Sequence, residues 1–341
     1  MKKIKHNEIS AETKSSLKKR IITAVVMAAI AFPCIIFGNW LYFAFIVVVT
    51  LLASYELVHV TKIQGKLRIA IYIITITLTL LLVNYILFRN NWTLVKQGVH
   101  INAWEFVANG FDNIGLSSMI VIVAAMIFFV ISFVNEKMTL YYVFYFTTMI
   151  IVLSLGIQSF LYLRYSSFTA WKNADLSYFN SPSFPYFESL LLVLYLMIGV
   201  MMNDIGAYFV GILFGKHKMN PRISPKKTWE GFVGGIVIST VFSTMFALIM
   251  ALVHRPILPR FDLNQFYWVV LVSIVMPLAG DVGDFVFSAI KRNEGVKDFS
   301  NLLPGHGGIL DRIDSMLFAS GSIAAMIAFI DFISPILEKA S

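Results

Sequence analysis

Nine times along this chain an apolar run returns that is long enough to cross a lipid bilayer, and no other feature limits the possible folds as strongly. The runs cover residues 21–37, 40–60, 67–88, 116–134, 139–163, 190–213, 232–253, 266–290 and 315–333. A hydrocarbon core of about 30 Å takes about 20 helical residues. Within it every backbone polar group must be satisfied internally, which helices of this length do. Composition agrees: 58% of residues are hydrophobic and only 13% charged, a balance outside the range of soluble domains. The expectation is an all-α polytopic membrane protein with about nine transmembrane helices. The link at Gly38-Asn39 is so short that the first two runs also fit a re-entrant pair. No internal repeat is evident, which weakens a transporter reading built on inverted repeats.

Lysine and arginine resist translocation, so their distribution orients the chain. With nine spans and the N-terminus inside, the successive inside segments hold seven, three, one, five and four of the 27, leaving seven outside. The N-terminus is therefore expected in the cytoplasm, in a multi-pass protein of the cell (cytoplasmic) membrane. Residues 1–20 read as a basic tail followed by a retained span, 21–189 as an N-terminal transmembrane region and 190–341 as a C-terminal catalytic region. The outside loops 89–115 and 164–189 are aromatic and poor in charge, suited to the membrane interface. Cys34 is the only cysteine, which excludes an internal disulfide and a CxxC metal site. The net charge of +8 favours anionic lipid and anionic substrates; no nucleic-acid partner is expected.

Chemistry gathers in three stretches. Asp204 lies well inside the sixth run, where an ionisable group is costly enough to point to function; Tyr208, Gly211 and Gly215 follow on its face at helical spacing. Next come Ser224-Pro225-Lys226-Lys227, which read as an N-cap with proline at the first helical position, aiming free N–H groups and two cations at an anion. Topological cations at a helix end are an equal reading of each lysine. In the second stretch Asp281, Asp284, Ser288 and either Lys291 or Arg292 form one polar stripe on an apolar helix. Two carboxylates there need a divalent cation or a lysine as partner. The third stretch, residues 297–314, holds Lys297, the glycine-rich Pro304-Gly305-His306-Gly307-Gly308, then Asp311, Arg312 and Asp314. Its backbone is expected to present several N–H groups to a phosphate. With Asp284, Asp311 and Asp314 form a candidate carboxylate set for Mg²⁺, beside cations suited to phosphoryl or nucleotidyl transfer.

These residues carry a resemblance. Ser288-Ala289-Ile290-Lys291-Arg292, Lys297-Asp298, His306-Gly307-Gly308 and Asp311-Arg312-Ile313-Asp314 resemble the signature of the phosphatidate cytidylyltransferases, with matching spacing over residues 288–314. The stretch 204–235 resembles that family's second hallmark, and Glu56 is similar to a family glutamate. Phe287 departs from the pattern, since many bacterial members have an acidic residue there.

The resemblance implies conversion of CTP and phosphatidate to CDP-diacylglycerol and pyrophosphate, with Mg²⁺ and room for a second cation. It implies that Asp284, Asp311 and Asp314 hold the metal. Asp204, Ser224, Lys226, Lys227, Ser288, Lys297, Gly307 and Gly308 fall to substrate binding, and Lys291, Arg292, His306 and Arg312 join the catalytic set on the cytoplasmic side. Membrane lipids are expected partners, and a homodimer is compatible with the sequence. Two rivals stand beside this reading: a CTP-dependent polyprenol or phytol kinase, and an ion-coupled transporter.

Overall fold

The computed structural model describes residues 11–85, 114–172, 184–253, 255–257 and 266–340. Most of the loop 89–115, the centre of the loop 164–189, residues 86–88 of the expected third span and the first ten residues of the basic tail lie outside these. Among the described residues nine α-helices follow one another: α1 Ala11–Phe37, α2 Asn39–His59, α3 Lys66–Leu80 with a π-helical turn at Leu81–Tyr85, α4 Ile114–Val134, α5 Leu140–Lys172, α6 Phe184–Phe214, α7 Trp229–Leu252, α8 Phe266–Asn293 and α9 Leu310–Ala340. Eight are long and apolar enough to cross a membrane, and α4 contributes the apolar stretch Ile120–Val134. The expected all-α polytopic fold is what forms.

Gly38 links α1 to α2 with φ 60°. Arg164, fully buried, reaches the carbonyls of Ile35 and Ile36 at the end of α1, and a Cβ on Gly38 would collide with its guanidinium. In the C-terminal half small residues bring helices together. A Cβ on Gly206 of α6 would come within 3.1 Å of Gly235 Cα in α7, and one on Gly283 of α8 within 2.7 Å of the Asp314 carbonyl oxygen in α9. Such close approach is how membrane helices gain packing without a hydrophobic drive between them.

Between α6 and α7 the chain forms a hairpin that the sequence reading did not anticipate. Strands β1 Lys218–Asn220 and β2 Ser224–Thr228 pair antiparallel, Lys218 opposite Thr228 and Asn220 opposite Ser224. The Asn220 side chain accepts the N–H groups of Arg222 and Ile223, fixing the turn. Ser224 is thus not the N-cap of α7. That place belongs to Thr228, in extended conformation, whose hydroxyl accepts Gly231 N at 3.2 Å. Pro225 cannot donate to a ladder and sits on an edge strand, where that costs nothing.

Candidate active site

Every charged residue singled out in the C-terminal half lies at one end of the helices: the end of α6, the hairpin, the start of α7, the end of α8 and the start of α9. The same end takes in the first half of α1, where Thr23 donates to the Pro304 carbonyl at 2.9 Å, and Glu56 near the end of α2.

Adjacent residues of a strand point to opposite faces, and β2 uses this to separate its two lysines. Lys226 is exposed, while Lys227 turns toward α8. Its Nζ lies 2.6 Å from Asp284 Oδ2 and 3.3 Å from Asp281 Oδ1, and 4.7 Å from the centre of the Phe285 ring. Burial alone would lower the Lys227 pKa, but Asp284 and then Asp281 outweigh it and hold the ammonium above its ordinary range. Of the two partners open for the carboxylate pair, the lysine is the one in contact here. Asp281 is buried and its Oδ2 has no hydrogen-bond partner among the described residues. Ser288 donates to Asp284 Oδ1 at 3.3 Å, continuing the polar stripe. Asp204 and Asp314 lie within electrostatic reach of Asp284, so four acidic groups converge on this end of α8.

A cleft of about 480 Å³ opens beside the pair. Asp204, Asp281, Lys218, Lys226 and Lys227 give it charge; Tyr208, Ile212 and Phe232 give it an apolar wall, and Tyr208 and Ile212 are exposed on the helix surface. Gly211 and Gly231 line it where α6 meets α7.

The glycine-rich stretch is built differently from what its composition suggests. The N–H groups of His306 and Gly307 both donate to Leu303 O, at 2.8 and 3.1 Å, and Gly308 N donates to Asp311 Oδ2 at 2.8 Å. Ile309 N and Leu310 N donate to Glu56 at 2.8 Å each. From 306 to 310 every backbone donor is thus used internally, and the expectation of several N–H groups aimed at a phosphate does not hold for them. The glycines answer to backbone shape instead: Gly305 and Gly307 have φ of 79° and 83°, and a Cβ on Gly308 would sit 2.5 Å from both Glu56 carboxylate oxygens.

Asp311, expected beside Asp284 as a metal ligand, is taken up otherwise. Its Oδ1 receives Lys291 Nζ at 2.7 Å, and its Oδ2 receives Phe299 N and Gly308 N. With three donors in place, the carboxylate pins the loop to α8. Lys291, expected to meet a triphosphate, is buried in that pair against the Phe299 ring. Arg292 turns to the hairpin and the following loop, donating to Ile223 O and Val296 O. Arg312 is exposed and within electrostatic reach of Asp204, and Lys297 is exposed. His306 is half-buried, its Nδ1 without a partner among the described residues. Asp314 is buried and accepts Ser315 N at 2.8 Å. Phe287 is fully buried, edge-on to Phe299 and Phe318; an acidic residue there would lie in the apolar core.

Three buried acidic groups take parts that the proposed site set lacked. Glu56, 0% exposed, accepts Ser300 Oγ at 2.6 Å besides the amides of Ile309 and Leu310; its place in an apolar span and its similarity to a family glutamate were the available signals. Asp281 stood in the polar stripe and proves to share Lys227. Glu294 accepts the hydroxyls of Tyr141 and Tyr142 and ties α8 to α5; no local pattern marks it.

Comparison with known proteins adds a family. The model of the cytidylyltransferase family matches residues 18–330. A phosphatidate cytidylyltransferase of Staphylococcus aureus (strain COL) is 44% identical over 132 residues, 38% of this chain and 46% of that protein. The protein of that name from Mycobacterium leprae (strain TN) is 41% identical over 165 residues, 46% of this chain and 47% of its own. The chain thus spans about half the length of these curated relatives.

Proposed function

The chain belongs to the cytidylyltransferase family, and on that premise we propose that it converts CTP and phosphatidate to CDP-diacylglycerol and pyrophosphate, a step of phospholipid biosynthesis. The observation that carries the reading is the cleft: cations of the hairpin and converging carboxylates on one side, a membrane-type apolar surface on the other. A nucleotide triphosphate and a lipid phosphate need that juxtaposition. A phosphatidate oxygen attacks the α-phosphorus of CTP, forming a new P–O bond. The bond from the α-phosphorus to the oxygen bridging to the β-phosphate breaks, and pyrophosphate leaves with the electron pair. The attacking group is already an anion, so no protein nucleophile is required.

Lys218 and Lys226 are placed at the cleft to take phosphate oxygens as charge-assisted donors, with Arg312 in reach from α9. Lys291, Asp311 and Glu56 act one step back, holding the loop and the start of α9 in register with α8. For magnesium, the Asp281–Asp284 pair, bridged by Lys227 in this structure, fits better than a set that includes Asp311. Asp281 offers a buried oxygen with no partner among the described residues, whereas Asp311 already accepts three donors. Among the described residues no three His, Cys, Asp or Glu side chains make a ligand set by themselves, so an ion held by the pair would need water and substrate phosphates to complete its shell. When bound, the ion would neutralise charge developing on the triphosphate.

The site end is also the end richest in lysine and arginine. That supports a cytoplasmic active site in a cell membrane, with a reporter inserted at Lys218 reading as cytoplasmic. The decisive experiment supplies detergent-purified protein with CTP, phosphatidate and Mg²⁺. Pyrophosphate and CDP-diacylglycerol should form together; CDP with a phosphorylated membrane alcohol would assign the kinase reading instead.

A further inference from the structure

We propose that Lys227 is an exchangeable internal counter-ion, occupying the Asp281–Asp284 pair in the ligand-free protein and vacating it to a divalent cation when the anionic groups of the nucleotide arrive. The inference rests on the cytidylyltransferase reading for the identity of the nucleotide, but not for its geometry.

Three observations converge on it. The Lys227 ammonium contacts both carboxylates, 2.6 Å from Asp284 and 3.3 Å from Asp281, so it stands where a cation shared by the pair would stand. It does not complete the site, because Asp281 Oδ2 is buried and without a hydrogen-bond partner among the described residues, and the carboxyl groups of Asp204 and Asp314 lie within reach of Asp284. A divalent ion held by the same two carboxylates would bring one more positive charge than the ammonium and could also take the free Asp281 oxygen.

The mounting of Lys227 also suits exchange. It belongs to a two-stranded hairpin, an element of marginal stability by itself, and its side chain is 28% exposed at the cleft wall. A lysine stem has four rotatable carbons, so the ammonium can leave the carboxylates for a phosphate in the same cleft without unfolding the strand. Lys291 provides the contrast. It too pairs with an aspartate, but at 9% side-chain exposure, with Asp311 held by two backbone amides; that pair is a fixture.

Because ammonium and metal compete for the same oxygens, removing the ammonium should strengthen metal binding in the absence of nucleotide. The test is titration of the purified full chain with Mn²⁺, followed by electron paramagnetic resonance, for the parent and for Lys227→Met. Lys227→Met should bind Mn²⁺ about tenfold more tightly, within the usual range of coupling between ligands. Adding Asp284→Asn to Lys227→Met should abolish the gain. CTP should tighten Mn²⁺ binding more in the parent than in Lys227→Met, where the competitor is already gone. Equal or weaker Mn²⁺ binding by a folded Lys227→Met would overturn the proposal, as would no measurable binding in either protein. Failure of the enzymatic reading would show separately, as the absence of CTP-dependent lipid product from the parent.

Discussion

Replacing Glu56 by glutamine exchanges one carboxylate oxygen for an NH₂ group and tests how the N-terminal half supports the site. In the parent, Glu56 Oε1 accepts Ser300 Oγ and Ile309 N, and Oε2 accepts Leu310 N. A glutamine retains one acceptor oxygen. Placed toward Leu310, its NH₂ group faces Ser300 and Ile309; placed the other way, it faces Leu310. The serine hydroxyl can turn and accept, but a backbone N–H cannot, so either orientation leaves one buried amide donor against another donor. An unsatisfied buried donor costs about 1–3 kcal/mol. The weakening of the remaining bonds is offset by relief from burying a charge. An opening cost reduced by that amount makes amide exchange about 5- to 150-fold faster, by the same arithmetic as any coupling of that size. The assay is hydrogen exchange by mass spectrometry on peptides covering residues 303–312, in parallel with CTP-dependent turnover. Ser300→Ala serves as the internal control, because it removes one side-chain donor and leaves both α9 amides paired; its exchange should stay near parental. Parental exchange and parental turnover in Glu56→Gln would refute the assignment of Glu56 as the clamp on this loop.

Gly307→Val should abolish turnover while membrane insertion is retained, because φ of 83° is strained for a β-branched residue and its Cβ would lie 2.8 Å from Asp311 Oδ2. Gly305→Ala is strained too at φ of 79°, but it is not β-branched and its Cβ meets first the exposed Arg20 stem at 2.8 Å, so it should lose less; equal losses in activity assays would contradict the distinction. Asp311→Asn should lower stability by about 3–5 kcal/mol, read as a drop in thermal midpoint, since Lys291 is left buried without its charge partner. Lys291→Met added to Asp311→Asn should recover part of that loss.

What the sequence determined by itself is whatever depends on near neighbours in the chain. Each of the nine apolar runs is helical over its described residues, to within one residue at its ends, because run length and backbone satisfaction in lipid admit few alternatives. Asp281, Asp284, Ser288 and Lys291 fell on one face because helical spacing is local, and the signature around His306 pointed to a glycine-dependent loop before its φ angles were known. Tertiary structure decided the partners. Lys226 and Lys227 are neighbours in sequence, yet only the choice of strand over helix start sent one outward and the other to α8. Asp311 looked equivalent to Asp284 until Lys291 and two amides occupied it. The glycine-rich backbone looked free to bind phosphate until Leu303, Asp311 and Glu56, the last 253 residues from Ile309, accepted its donors. Hydrogen bonds and ion pairs saturate, so the role of a charged group depends on which distant partner reaches it first, and local pattern does not encode that competition.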